Sequence, residues 1–271
     1  MTQITAKIGF IGGGNMATAI INGLIAGGVI PSNIMVSDPN DASRDFFNQQ
    51  GMRTTTDSAE LIDFAEVIVL AIKPQLFASV LPEFAGLFKE GKLVVSIAAG
   101  ITVATIEELI QYDNIVRCMP NTPALIQQGA TGLFASDKVK QNDRITAERI
   151  LSATGLVIWV DVEDKLHAVT AVSGSAPAYF FYVMESMIEA GIELGLTQEQ
   201  ATQLTLQTAF GASKMAIESD DTPTELRQKV TSPNGTTHAA IESMKANGLA
   251  KIISEGMQAC VLRSEEMARG K

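Results

Sequence analysis

The apolar run Ile8-Gly9-Phe10-Ile11 breaks at Gly12-Gly13-Gly14 and resumes with helical spacing from Asn15-Met16-Ala17. This is G-x-G-x-x-A set between a strand and a helix. Gly12 permits the tight turn, Gly14 lets the backbone approach a pyrophosphate, and Ala17 lets the helix pack closely on the strand. The first turn of such a helix also presents free N–H groups and a positive dipole end to phosphates. Taken alone, the same letters describe a glycine-rich packing turn. The strand-turn-helix setting is what turns them into a dinucleotide site.

The pattern then alternates. Strands are expected at 6–11, 34–37, 67–71, 93–97, 115–119, 130–135 and 156–160. Helices are expected at 15–26, after Pro39, up to Phe64, and at 75–88, 103–110 and 141–153. Near-continuous apolar strands separated by helices predict a doubly wound, mostly parallel sheet. Residues 1–162 are therefore read as an α/β N-terminal Rossmann domain. Ligands in such a sheet lie beyond the carboxyl ends of the strands, which singles out several stretches. Ser37 and Asp38 close the second strand, with Asp38 24 residues beyond Gly14. An acid there suits the adenosine ribose hydroxyls, or equally caps the helix after Pro39. Ala71-Ile72-Lys73-Pro74 follows the next strand; Lys73 could reach a phosphate or simply be solvated. Ala98-Ala99-Gly100 leaves room for a flat ring or a ribose, or makes a plain tight turn. Asn121 lies in Pro120-Asn121-Thr122-Pro123, a loop stiffened by two prolines. Trp159 reads as core.

Beyond 161–164 no strand is convincing, and residues 163–271 are expected to form an all-α C-terminal domain. Tyr179-Phe180-Phe181-Tyr182-Val183-Met184 is apolar around a whole helix, so it must be covered on all sides. A domain of this size offers little cover, which points to a second subunit. Thr197/Gln200 and Thr222/Glu225 have the spacing of capping boxes. Ser232-Pro233-Asn234-Gly235-Thr236-Thr237 is a turn feeding a helix. Its hydroxyls and the helix N–H groups could hold a carboxylate or phosphate; alternatively Thr236 or Thr237 is an ordinary N-cap. His238 beside it could act as an acid or merely pack.

The net charge of −10 argues against nucleic-acid and anionic-membrane partners, which favour a basic face. No apolar run approaches the ~18 residues of a membrane helix, and no basic leader opens the chain. The two cysteines, Cys118 and Cys260, show no metal-ligand spacing and are expected as buried thiols of a reducing, cytoplasmic protein. No metal site is expected.

Together these motifs resemble the pyrroline-5-carboxylate reductase family. The resemblance rests on Gly12-Gly13-Gly14-Asn15-Met16-Ala17, Ala71-Ile72-Lys73-Pro74, Ser96-Ile97-Ala98-Ala99-Gly100, Met119-Pro120-Asn121-Thr122-Pro123, Val172-Ser173-Gly174-Ser175-Ala176-Pro177-Ala178-Tyr179 and Ser232-Pro233-Asn234-Gly235-Thr236-Thr237. They occur in the family's order over nearly the whole chain. Two positions depart from the family pattern: Asn234 stands where glycine is usual, and Ala176 replaces a frequent glycine. Asparagine tolerates positive φ, so the turn should survive.

The resemblance implies reduction of 1-pyrroline-5-carboxylate to L-proline with NADPH or NADH. It implies a homodimer through interlocked C-terminal helices, assembled further into a ring of dimers. It places cofactor at Gly12–Ala17 and the strand-end loops, and substrate at Ser175, Ser232, Gly235, Thr236 and Thr237. The amides of Gly235–Thr237 would take the carboxylate, and Thr237 would lie beside the ring nitrogen as the catalytic hydroxyl. A cyclic imine is already electrophilic, so the protein is asked mainly for orientation. Asp38 would repel the 2′-phosphate of NADPH, with Arg44 the nearby cation that could offset it. Dual use is expected, with NADH favoured relative to family members that carry a neutral residue there. Two other readings remain open: a β-hydroxyacid dehydrogenase, in which Lys165 is a poor match for the required lysine, and a non-catalytic dinucleotide sensor, which would not need the 232–237 turn.

Overall fold

The computed structural model describes residues 4–269. In chain order the elements of the α/β part are β1 (Ile8–Ile11), α1 (Asn15–Ala26), β2 (Ile34–Ser37), α2 (Asp41–Asn48), β3 (Arg53–Thr55), α3 (Ser58–Phe64), β4 (Val67–Leu70), α4 (Phe77–Val80), β5 (Leu93–Ser96), α5 (Val103–Ile110), β6 (Ile115–Met119), β7 (Gly129–Ala135), α6 (Gln141–Ser152) and β8 (Gly155–Trp159). There follow α7 (Lys165–Val169), a π-helical turn at Thr170–Gly174, α8 (Ala176–Glu193), α9 (Gln198–Glu218), α10 (Pro223–Lys229), α11 (Thr236–Ala246) and α12 (Leu249–Ala268).

The eight strands form one sheet in the order β3-β2-β1-β4-β5-β6-β7-β8. Neighbours are parallel except β6 and β7. β1, β2, β4 and β5 are buried at every position. That follows from helices on both faces, which exclude an alternating polar side. On one face Ile20, Ile21 and Leu24 of α1 and Ile150 and Leu151 of α6 pack on Phe10, Val36, Val69 and Val95. On the other, Leu61 and Ile62 of α3, Phe77 of α4 and Ile106 of α5 pack on Ile11, Ile68, Leu70 and Val94. Strand order reverses between β1 and β4, so the loops after these two strands diverge and leave a crevice.

The structure departs from the sequence reading in a few places. The expected helix at 75–88 is broken into a 3-10 turn at Pro74–Leu76, the single turn α4 and a second 3-10 turn at Leu81–Phe84. Pro82 has no N–H to continue the ladder, and its ring crowds the preceding turn. The first strand begins at Ile8 rather than residue 6. The short strand β3, with Arg53 exposed, has no periodicity of its own and exists by pairing with β2.

Packing divides the chain into two compact units. The first comprises the described residues through Ser175 together with Cys260–Arg269; the second is Ala176–Ala259. In the first unit three residues of α12 meet earlier segments. Ser264 Oγ lies 2.8 Å from His167 Nδ1, and the Cys260 thiol donates to Ser175 Oγ at 3.3 Å. Met267 packs on Gly100. In the second unit α8 packs on α9, where Gly191 faces Ala201. Phe180, Phe181 and Tyr182 of α8 remain 62%, 63% and 70% exposed. No helix among the described residues is long and apolar enough to cross a membrane. Cys118 is buried as expected; Cys260, expected buried as well, is only half-buried, its Ser175 contact covering one side. Both are free thiols, and burial pushes that of Cys118 well above the usual thiol range.

Candidate active site

The glycine turn is shaped by two opposite constraints. Gly12 has φ +100°, and a Cβ there would stand 2.7 Å from the Ala71 carbonyl oxygen. Gly14 has no atom within 4 Å of where its Cβ would point. The turn is therefore packed tightly below and open above. Gly14 is the N-cap of α1, and no side chain caps this helix. Open space beside uncapped N–H groups fits the phosphates of a dinucleotide. Asn15 is exposed and Met16 half-buried at the helix start, while Ala17 is 1% exposed beneath them.

Asp38 does not cap α2. The cap is Asn40, whose side chain accepts the N–H groups of Ala42 and Ser43. The Asp38 carboxylate instead spans two amides, accepting from Gly13 N–H and from Asn40 N–H, each at 2.8 Å. Arg44 donates to the Asp38 carbonyl oxygen at 2.7 Å and pairs with Asp41. Its guanidinium is thus engaged within its own turn. Ser37 is buried, and its hydroxyl meets that of Ser58 at 2.8 Å. At the end of β4, Ala71 donates its N–H to Ile11, Ala71 and Ile72 are half-buried, Pro74 opens the 3-10 turn, and Lys73 is exposed. At the end of β5, Ala98 is buried, Ala99 half-buried, and Gly100 adopts φ +74°. Ser37 ends β2, and Gly12–Ala17, Asp38, Ala71–Pro74 and Ala98–Gly100 follow carboxyl ends of strands in the first unit. Asn121, after β6, is buried with its side chain bonded to Ala130 and Ser173.

In the second unit the 232–237 turn has the predicted conformation. Asn234 carries φ +60°, where glycine is otherwise favoured. Gly235 donates its N–H to the Ser232 carbonyl and is the N-cap of α11, again with no side-chain cap. Thr236 and Thr237 are the first two helical residues, not caps, so no side chain caps the amides at this start. The side chains of Ser232, Thr236 and Thr237 are exposed and His238 is half-buried. Just before the turn, Thr222 and Glu225 close the capping box of α10, and Lys229 pairs with Asp221. These hydrogen bonds hold the Glu225 and Asp221 carboxyls below the usual carboxylate range. Ser175 belongs to the first unit and Ser232–Thr237 to the second.

Sequence reasoning passed over Arg117. It is 4% exposed within β6 and donates to Glu163 at 2.7 Å; the same oxygen accepts Val103 N–H at 2.8 Å. A lone arginine inside an apolar strand had to find an acidic partner, here the half-buried Glu163. Among the described residues no three His, Cys, Asp or Glu side chains are grouped as metal ligands.

A Rossmann sheet with an open glycine turn, followed along the chain by a helical unit with its own uncapped helix start, fits a nucleotide-dependent oxidoreductase. Residues 163–267 match the family described as pyrroline-5-carboxylate reductase dimerisation, and residues 7–100 match the coenzyme F420-dependent NADP oxidoreductase family. The chain is 47% identical to pyrroline-5-carboxylate reductase of Pseudomonas aeruginosa, over 97% of both chains. It resembles the structure of a pyrroline-5-carboxylate reductase from Coxiella burnetii with TM-score 0.94 and 43% identity, covering 98% of this chain and 99% of the other. A Plasmodium falciparum pyrroline carboxylate reductase with NADP bound aligns with TM-score 0.85 and 28% identity, covering 97% and 98%. The chain belongs to the pyrroline-5-carboxylate reductase family.

Proposed function

We propose that this chain reduces the C=N bond of 1-pyrroline-5-carboxylate to L-proline, the last step of proline synthesis, using NADPH or NADH. The observation that carries the reading is that two uncapped helix starts occur in one chain: α1 behind an open glycine turn, and α11 behind a turn flanked by hydroxyls. The family membership points the same way. The chemistry a bound NAD(P)H supplies is hydride donation to the imine carbon. The chain's own residues bind and orient. The amides of Gly14–Ala17 face the pyrophosphate while that of Gly13 is held by Asp38, Ser37 and Asp38 adjoin the adenosine ribose, and Ala71–Pro74 and Ala98–Gly100 wall the remainder. Asn121, expected from the sequence as a cofactor residue, has both side-chain polar atoms bonded to Ala130 and Ser173 and is left out of this wall. Ser175, Ser232 and the amides of Gly235–Thr237 fix the substrate. The Thr237 hydroxyl donates a hydrogen bond or a proton to the ring nitrogen, directly or through water, which draws electron density from the C=N bond and makes its carbon more electrophilic.

Cofactor choice rests on Asp38. Its carboxylate is tied at both oxygens and Arg44 is engaged, which supports ready use of NADH alongside NADPH. Residues 163–271 serve as the substrate-binding and dimerisation domain. The dimerisation-family match and the exposed Phe180, Phe181 and Tyr182 support a homodimer through interlocked C-terminal helices, and the family resemblance supports a ring of dimers. A cytoplasmic location fits the two free thiols. Lys165, the lysine a β-hydroxyacid dehydrogenase would need, is paired on the surface with Asp161 at 2.7 Å.

The test is loss of NAD(P)H absorbance with pyrroline-5-carboxylate against a 3-hydroxyacid run in reverse. Oxidation with the imine alone is expected. Activity with the hydroxyacid alone would overturn the reading.

A further inference from the structure

Asn121 stands two residues beyond β6, and its side chain is 8% exposed. Its Nδ2 donates to the Ser173 carbonyl at 3.0 Å, and its Oδ1 accepts the Ala130 N–H at 2.9 Å. One end thus holds the start of β7 and the other holds a segment 52 residues away. That segment is the π-helical turn Thr170–Gly174, a rare geometry that concentrates at functional sites. The turn closes with the Ser175 N–H donating to the Thr170 carbonyl at 2.8 Å. It is also seated from below. The Met119 Cε would stand 2.5 Å from a Cβ at Gly174, so methionine occupies the space a side chain there would need.

We infer that Asn121 is a positioning residue, which clamps the π-helical turn to the loop after β6 and so sets the direction of the Ser175 hydroxyl. This rests on the proposed role of Ser175 in holding substrate. The residue type follows from the two bonds. The bracket must accept at one end and donate at the other across a planar span, which a primary amide does. Aspartate cannot donate, and serine or alanine does not reach. With both of its polar atoms bonded to the protein, Asn121 acts on the substrate through Ser175 and not on the cofactor directly.

The experiment compares Asn121→Ala, Asn121→Asp and Ser175→Ala in the full chain. Substrate KM and kcat, NADH affinity by fluorescence quenching, and hydrogen exchange of residues 170–175 are measured for each. Both Asn121 variants should raise substrate KM about ten-fold, the effect of one lost buried hydrogen bond. Their NADH affinity should stay within about two-fold of the parent, and the Ser175 amide should exchange faster. Ser175→Ala should raise substrate KM with exchange of the turn unchanged. Weakened NADH binding with normal substrate KM would make Asn121 a cofactor ligand and overturn the inference. Normal kinetics in both folded Asn121 variants, or failure of both to fold, would overturn it too, since the role assigned is local. An unaltered Ser175→Ala enzyme would instead remove the role of Ser175 on which the inference stands.

Discussion

The Asp38 carboxylate accepts the Gly13 amide N–H at 2.8 Å, joining the end of β2 to the glycine turn after β1. Because the other oxygen takes the Asn40 N–H, this negative charge cannot swing away from a phosphate brought beside it. Asp38→Ser should therefore raise the ratio of kcat/KM for NADPH over NADH by about ten-fold or more, the scale of one removed like-charge contact. Steady-state kinetics with both cofactors decides it. A ratio unmoved by the substitution would take Asp38 out of cofactor choice.

Thr237 is the second residue of α11 and no cap, so its hydroxyl is not spent on the helix. Thr237→Ala should fold and lower kcat by about ten- to a hundred-fold, within the range of a lost hydrogen-bonding or proton-donating group. Thr237→Ser should restore most of it. Wild-type kcat and KM in the alanine variant would remove Thr237 from the mechanism.

Asn234 holds φ +60° without being glycine. Asn234→Gly should be neutral or slightly stabilising, whereas Asn234→Ala should cost about 1–2 kcal/mol from the left-handed backbone. Equilibrium denaturation measures both. Equal stability of the alanine and glycine variants would contradict a strained turn.

Glu163 neutralises Arg117, whose side chain is only 5% exposed. Glu163→Ala leaves a buried unpaired guanidinium and an unmet Val103 N–H, and should cost about 3 kcal/mol or more. A chemical-denaturation midpoint unchanged from the parent would show that solvent reaches Arg117.

Thr222 and Lys229 hold the Glu225 and Asp221 carboxyls below the usual carboxylate range. A depressed folded-state pKa contributes stability that is present above the unfolded pKa and lost as pH falls through the folded one. The Tm advantage of the parent over Glu225→Gln should therefore shrink between about pH 6 and about pH 3. An advantage that widened on acidification would reverse the assignment.

Much of the candidate site's local geometry was legible because backbone shape carries it. Gly12, Gly14 and Asn234 are readable letters, since a turn with positive φ or a close approach admits few residues. The strand-end loops followed from periodicity alone. What escaped the sequence depends on partners far along the chain. Nothing near Asn121 announces Ser173, and nothing near His167 announces Ser264. The broken segment 74–84 failed for a local reason: its apolar spacing suited a helix while Pro82 forbade one. Asp38 was balanced between two roles until the structure placed Asn40 in the cap.

The first compact unit is discontinuous, finished by residues from Cys260 onward. During synthesis the sheet and its helices emerge from the ribosome long before Ser264 exists to meet His167 or Met267 to cover Gly100. Domains that are contiguous in sequence can fold as they emerge. Here the loop after β5 and the buried imidazole must wait until the whole helical unit has been translated, so a nascent chain stalled before Cys260 would hold a sheet whose ligand-facing side is still unfinished.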